Sequence, residues 1–161
     1  MAKKTVHHMD FDALLEVNRE VVLLTREPHE YSSADGKKLK DLLKEDEERS
    51  DNEKLDEAVA DKAAYLIYKL ASGQHFRGGN KRTALVAGMV FLRKNGYTID
   101  MSNRDLVSVV DRAGMAAADL DDLYDVIRRL AAKSGTERRS WEGTIKQAVE
   151  DNRKFLIEAG S

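Results

Sequence analysis

The residues best suited to chemistry form one short cluster within the segment SGQHFRGGNKRTALVAGMVFLRKNGY. Two consecutive glycines are followed directly by an amide side chain and two basic side chains. Glycine lets the backbone approach a ligand closely, while amide and basic groups donate hydrogen bonds to anions. This order of residues predicts a phosphate-binding site, which we call the cradle. Its residues are Gly78, Gly79, Asn80, Lys81 and Arg82.

The apolar run that follows the cradle predicts a buried helix as far as Arg93. A helix that is apolar on almost every side has no face for water and belongs in the interior. The first N–H groups of a helix lack internal partners and carry the positive end of its dipole, which favours an anion there. Short glycine and basic clusters are also common as simple helix entries, so a loop without a ligand is the alternative.

Helical spacing recurs along the rest of the chain and predicts an all-α fold. The length of 161 residues and the apolar content of 42% fit one domain with a real core. Asp10, Asp119 and either Asn103 or Ser102 are the predicted helix caps, and Gly73 is the predicted stop of the helix before the cradle. The predicted helices are residues 10–24, 37–49, 55–73, 80–93, 103–114 and 119–130, with a loop at 31–36 and an extended stretch at 97–101.

An extra segment past Gly135 predicts one amphipathic helix, which carries the single tryptophan, Trp141. We expect this helix to dock on its own domain. A helix that dimerises or covers the groove beside the cradle is the alternative. The predicted organisation is a polar leader at 1–9, a helical domain at 10–133 and the C-terminal amphipathic helix at 134–161.

Charge and composition argue against some classes of function. The 27 Lys and Arg residues nearly balance the 29 Asp and Glu residues, so no basic field favours nucleic acid or an anionic membrane. The chain has no cysteine and no apolar stretch long enough to cross a bilayer. We expect a cytoplasmic protein. The acidic run at 45–57 is expected to be a solvated face or linker.

The order F-x-x-G-N-K-R-T-A-L and then F-L-x-x-N-G-Y, from Phe76 to Tyr97, resembles the signature helix of the Fic/Doc family, in its Doc-like, death-on-curing form. The resemblance implies a mostly helical fold that binds a nucleotide such as ATP, with the phosphates over the start of this helix. It also implies transfer of AMP, or in Doc itself phosphate, to a hydroxyl of a protein target. A protein target or a separate antitoxin chain is the partner that the resemblance allows.

The two family residues that perform the chemistry are replaced here. The family histidine, which acts as the general base, falls on Gln74, and the family acidic residue, which holds magnesium, falls on Gly78. Gln74 has no titratable group, and Gly78 has no side chain to bind a metal, so magnesium is in doubt. His75 is the alternative base if the loop contracts by one residue. A positioned acid–base group contributes about 10²–10⁴ in rate.

Three functions therefore compete. The favoured hypothesis is a nucleotide- or phosphate-binding protein with degenerate transferase activity. The second is an active, toxin-like enzyme that transfers AMP or phosphate to a protein hydroxyl through His75. The third is a helical oligomerisation or interaction module that uses the C-terminal helix.

Overall fold

The computed structural model describes residues 6–49 and 54–159. Within them the chain forms eight helices and a two-stranded antiparallel sheet, which confirms the predicted all-α class. The elements in chain order are α1 (Phe11–Thr25), α2 (Ser33–Glu48), α3 (Leu55–Gly73), α4 (Asn80–Lys94), β1 (Tyr97–Thr98), α5 (Arg104–Gly114), α6 (Leu120–Leu130), β2 (Ala132–Lys133), α7 (Trp141–Asp151) and α8 (Arg153–Glu158).

Helix α4 is the buried centre of the fold, as its sequence predicts. Every residue from 82 to 92 is buried, and α1, α3, α5 and α7 pack around it. Helix α3 packs tightly against Gly88, where a Cβ would lie 2.4 Å from Cδ1 of Ile67. The surrounding helices therefore fix the position of the first turn of α4.

The predicted caps are confirmed, and one of the predicted loops is partly wrong. Asp10, Asn103 and Asp119 each accept a hydrogen bond from the first turn of their helix. Helix α2 begins at Ser33, so four of the six residues of the predicted loop at 31–36 are helical. The reason is a further cap, because Oγ of Ser32 accepts from the first turn of α2 and outweighs the glycine inside that turn.

The C-terminal segment forms two helices, so the prediction of one helix is wrong. Asn152 leaves the helical conformation with φ of -116° and ψ of 16°, and α8 begins directly after it. Its Nδ2 donates to the carbonyl oxygen of Ala148 at 2.8 Å, a local bond that competes with helix continuation.

The apolar sides of α7 and α8 pack on the rest of the domain. Helix α7 contacts α1 and α4, and the side chains of Ile145, Ala148 and Leu156 are fully buried. The expected docking of this segment on its own domain is what the structure shows. Association of two copies through this segment stays a prediction, but most of the required apolar face is already buried within the chain.

The end of the predicted leader is held against the core. Val6 and Met9 are buried, and Nδ2 of Asn95 donates to the carbonyl oxygen of His7 at 2.9 Å. Residues 1–5 of the predicted leader lie outside the described residues. In the described part of the chain, no helix is both long and apolar enough to span a bilayer.

Candidate functional site

The loop of residues 74–79 brings the chain from α3 to the front of α4. Gly79 is the N-cap of α4 and has a φ of 71°, a left-handed conformation that favours glycine. A Cβ at this residue would also lie 3.1 Å from Cγ1 of Val22 on α1. Gln74 has a φ of 53° and ends α3 in place of the predicted stop at Gly73. The loop is therefore tightly constrained at both ends.

The first turn of α4 has no side-chain cap. Among the described residues, no hydrogen bond uses the backbone N–H groups of Asn80, Lys81 or Arg82. Side chains cap the first turns of α1, α2, α5, α6 and α7. The free N–H groups and the helix dipole give the front of α4 a positive end that favours an anion.

The side chain of Asn80 holds the loop in shape. Its Oδ1 accepts from the N–H of Phe76 at 3.0 Å, and its Nδ2 donates to the carbonyl oxygen of Phe76 at 2.8 Å. Its Nδ2 also lies 3.4 Å from Oε1 of Gln74. These bonds occupy most of the amide, so the structure gives Asn80 a role in the loop itself. Ligand binding by this side chain stays a prediction.

Asn18 on α1 supports the same loop from behind, and the sequence analysis missed it. Its fully buried Nδ2 donates to the carbonyl oxygen of Gly78 at 3.1 Å and to Oγ1 of Thr83 at 3.0 Å. Its Oδ1 lies 2.8 Å from Nδ1 of His29, whose pKa is lowered mainly by burial and then by Arg19. The sequence feature that could have identified Asn18 is a polar residue at a core-facing position of an otherwise apolar helix.

A cleft of about 400 Å³ opens in front of α4. It contains four of the five predicted cradle residues, which are Gly78, Gly79, Asn80 and Lys81. The ends of α3 and α5 complete its walls. Nζ of Lys81 lies 2.5 Å from Oδ1 of Asp111 on α5, so the lysine on the wall is already paired with a carboxylate.

Arg82, the fifth predicted residue, points away from the cleft. Its Nε donates to the carbonyl oxygen of Leu156 at 2.6 Å, and its Nη2 donates to that of Ala159. The side chain is buried and lies at the C-terminal end of α8, where a cation suits the helix dipole. The structure therefore does not agree with the expectation that Arg82 donates to a ligand at the cradle, because the carbonyl oxygens of Leu156 and Ala159 accept from its Nε and Nη2.

His75 also lies outside the cleft, on the other face of the loop. Its Nδ1 is 3.1 Å from Oδ1 of Asp35 on α2, and this hydrogen bond is the main reason that the pKa of Asp35 is lowered. The ring packs over Gly73, where a Cβ would lie 2.2 Å from Nε2 of His75. His75 instead lines a second cleft of about 690 Å³ with residues 29–32, so the structure does not bring it to the cradle.

A family model described as the Fic/DOC family matches residues 7–92. The match covers more than half of the chain and includes the loop and most of α4. The chain belongs to the Fic/DOC family. No curated protein and no solved structure matched it.

The two positions that are predicted to depart from the family pattern, Gln74 and Gly78, both line the cleft. Gln74 lines it, and its Nε2 donates to the carbonyl oxygen of Ala71 at 2.8 Å. At Gly78, a Cβ would lie 3.1 Å from Oε2 of Glu27. An acidic side chain at position 78 would therefore meet a like charge, which gives a structural reason for glycine at this position in this chain.

The residues present do not fit a magnesium ion held by the protein. Glu27 is not among the residues that line the cleft, and the carboxylate that does line it, Asp111, is paired with Lys81. Within residues 6–49 and 54–159 there is no group of three or more histidines or acidic residues that could hold a metal. The structure therefore assigns no step to a metal.

Proposed function

We propose that this Fic/DOC protein binds a nucleotide or another phosphate-bearing ligand in the cleft in front of α4 and has little or no transferase activity. The observation that carries the proposal is the uncapped first turn of α4. Three N–H groups lie free there, next to Gly78 and Gly79, at the wall of a cleft with room for a small ligand.

Charge in the cleft is nearly balanced, so the backbone makes the larger contribution. Lys81 is offset by Asp111, Arg77 on the cleft wall is offset by Glu30, and the guanidinium of Arg82 is directed to α8. The N–H groups at the front of α4 are fixed in place by Asn80 and Asn18, so binding them costs little reorganisation. A phosphate would be held mainly by these N–H groups, with Lys81 and Arg77 as the cationic side chains that line the cleft.

The chemistry for transfer has no comparable support. Gln74 lies at the family position of the base and cannot accept a proton at neutral pH. His75 bonds Asp35 on the far face of the loop. The alternative in which His75 acts as the base would require the ring to leave both Asp35 and Gly73.

Loss of the lysine on the cleft wall should weaken ligand binding. We expect Lys81→Ala to lower the affinity for ATP at least about tenfold, since a hydrogen bond to a charged group contributes about 1.5–3 kcal/mol. Isothermal titration with ATP, ADP and pyrophosphate would measure it. Lys94→Ala is the matched control, because Lys94 is at the opposite end of the same helix and bonds the carbonyl oxygen of Arg139. Absence of any binding by the parent protein would remove the proposal.

Transfer to protein should be undetectable. When the parent protein is incubated with a cell lysate and ATP labelled on its α- or γ-phosphate, we expect no labelled protein, because neither Gln74 nor His75 is placed to act as a base at the cleft. A labelled band that disappears with His75→Ala would instead establish the enzyme hypothesis.

A further inference from the structure

A further cleft, of about 550 Å³, opens at the C-terminal end of α4, the end opposite the cradle. This volume lies in the range of about 300–1,000 Å³ that is typical of small-molecule sites. We call it the distal cleft, and the side chains that decide its character are those of Asp56, Lys94, Tyr97, Lys133, Ser134 and Thr136. It shares no described residue with the cleft in front of α4.

Hydrogen bonds within the domain hold the walls of the distal cleft in place. Oδ1 of Asn95 accepts from the N–H of His7 at 2.7 Å, and Nδ2 of Asn95 donates to the carbonyl oxygen of His7 at 2.9 Å. The N–H of Ser134 donates to the carbonyl oxygen of Gly96 at 2.8 Å, which extends the contact between β1 and β2. A ligand would therefore meet a preformed site, so little ordering of the protein would oppose binding.

The two lysines that line the distal cleft form no ion pair within the described residues. Nζ of Lys94 donates to the carbonyl oxygen of Arg139 at 2.7 Å, which uses one of the three donors of its ammonium group. Lys133 is exposed, and its ammonium group makes no hydrogen bond in the described part of the chain. In front of α4, by contrast, Lys81 and Arg77 are each paired with a carboxylate. The distal cleft therefore has more cationic donors available to a ligand.

The other polar groups of the distal cleft do not cancel this positive charge. Ser134 and Thr136 add hydroxyl groups that no hydrogen bond uses within the described residues. Asp56, the one carboxylate among the described lining residues, accepts from the hydroxyl of Tyr97. The C-terminal end of α4 and the first turn of α3 meet here with opposite dipoles, so their fields offset one another. The lysines therefore decide the sign of the potential, which favours an anion.

The donors of the distal cleft are spread over separate elements. Lys94 ends α4, Lys133 lies on β2, and the two hydroxyl groups follow in the segment after β2. A phosphate group concentrates its charge at one centre, whereas several carboxylates on one small carbon frame can each meet a different donor. The spacing of the donors therefore suits an anion whose charges are separated.

The geometry points to the distal cleft as a binding site for a small polycarboxylate, an organic acid with two or more carboxylate groups. Its carboxylates pair with Lys94 and Lys133 and accept from the hydroxyl groups of Ser134 and Thr136. The uncharged carbon frame between the carboxylates faces Asp56, so that like charges are kept apart. This site and its ligand are separate from those of the proposed function.

The single tryptophan gives a local readout of binding. Nζ of Lys94 lies 5.5 Å from the centroid of the Trp141 ring, so a carboxylate that pairs with this lysine changes the field at the indole. Citrate titrated into the parent protein should therefore change the fluorescence of Trp141 in a saturable way. Triethyl citrate, which keeps the carbon frame but carries no charge, should leave the fluorescence unchanged at the same concentrations.

Isothermal titration with citrate tests which cleft is used. Lys133→Ala should lower the affinity at least about tenfold, the size of effect expected for a hydrogen bond to a charged group, without a change in melting temperature because the side chain is exposed. Lys37→Ala is the matched control, because Lys37 is also exposed, carries the same charge and does not line the distal cleft.

A variant of the other cleft separates the two sites. Lys81→Ala should leave the affinity for citrate unchanged, because Lys81 lies at the opposite end of α4. If Lys81→Ala weakened citrate binding and Lys133→Ala did not, the anion would lie in front of α4 and the inference would be overturned. Absence of saturable citrate binding by the parent protein would overturn it as well.

Discussion

Replacement of Arg82 by alanine is expected to lower the free energy of unfolding by about 3 kcal/mol, because it leaves one buried and one partly buried carbonyl oxygen without their donor. Arg82 is buried and donates to the carbonyl oxygens of Leu156 and Ala159. The loss should appear as faster hydrogen exchange in α8 and as a lower urea midpoint. The effect arises although Arg82 lies in the signature segment of the family.

Lys81→Ala is the matched control for this measurement. Lys81 is the adjacent basic residue on the same helical turn, but it forms an ion pair near the surface, so its loss should cost about 1 kcal/mol or less. If Arg82→Ala left stability unchanged and abolished ATP binding, Arg82 would be a ligand residue in solution and the α8 contact would be wrong.

Asp46 should make the stability of the protein depend on pH. Burial raises the pKa of this carboxyl to about 8, and Lys62 and Arg49 oppose that rise only in part. The folded protein therefore keeps a proton that the unfolded chain releases near its ordinary pKa of 3.8. Between these two values the unfolded state binds fewer protons, so stability falls as the pH rises.

Asp46→Asn should remove this dependence. We expect the variant to match the parent near pH 4 and to exceed its free energy of unfolding by at least about 2 kcal/mol at pH 9, since each unit of pKa shift corresponds to about 1.4 kcal/mol. Urea denaturation across the pH range measures the difference. Asp41→Asn, an exposed carboxylate on the same helix, should show no such trend. If the free energy of unfolding of Asp46→Asn differed from that of the parent by the same amount at every pH, the raised pKa of Asp46 would be contradicted.

The sequence predicted the core of the fold well because its strongest signals are local. Helix α4 is apolar on almost every side, and no exposed position in the fold could accept it. Asp10, Asn103 and Asp119 cap the predicted helices because a short polar side chain before an apolar periodic run acts within one turn. The cap at Ser32 is also a local signal, but Gly36 in the following turn favoured the prediction of a loop.

The parts that the sequence did not predict depend on contacts between distant segments. Arg82 and the carbonyl oxygens of α8 are far apart in the chain, so no spacing rule connects them. Asn18 supports Gly78 and Thr83 only once α1 has packed on α4. Asp46 lies in an acidic run expected to be solvated, and it is buried because α2 packs against Lys62 on α3.

The structure brings most of the predicted cradle residues to one cleft, and ligand binding there stays a prediction. Gly78, Gly79 and Lys81 lie on one cleft because they are adjacent at the entry to a helix. Which side chains remain available to a ligand depended on partners elsewhere, such as Asp111 for Lys81 and Asp35 for His75. The backbone N–H groups of α4 are the part of the site that local geometry alone could predict.

Amide chemical shifts would show directly whether the free N–H groups at the front of α4 bind phosphate. In a titration of ¹⁵N-labelled protein with ATP, we predict the largest downfield shifts at the backbone amides of Asn80, Lys81 and Arg82, which saturate with the affinity found by calorimetry. Amides near His75 on the far face of the loop should move less. If ATP bound while these three amides stayed unchanged, the ligand would lie elsewhere and the front of α4 would not be its binding site.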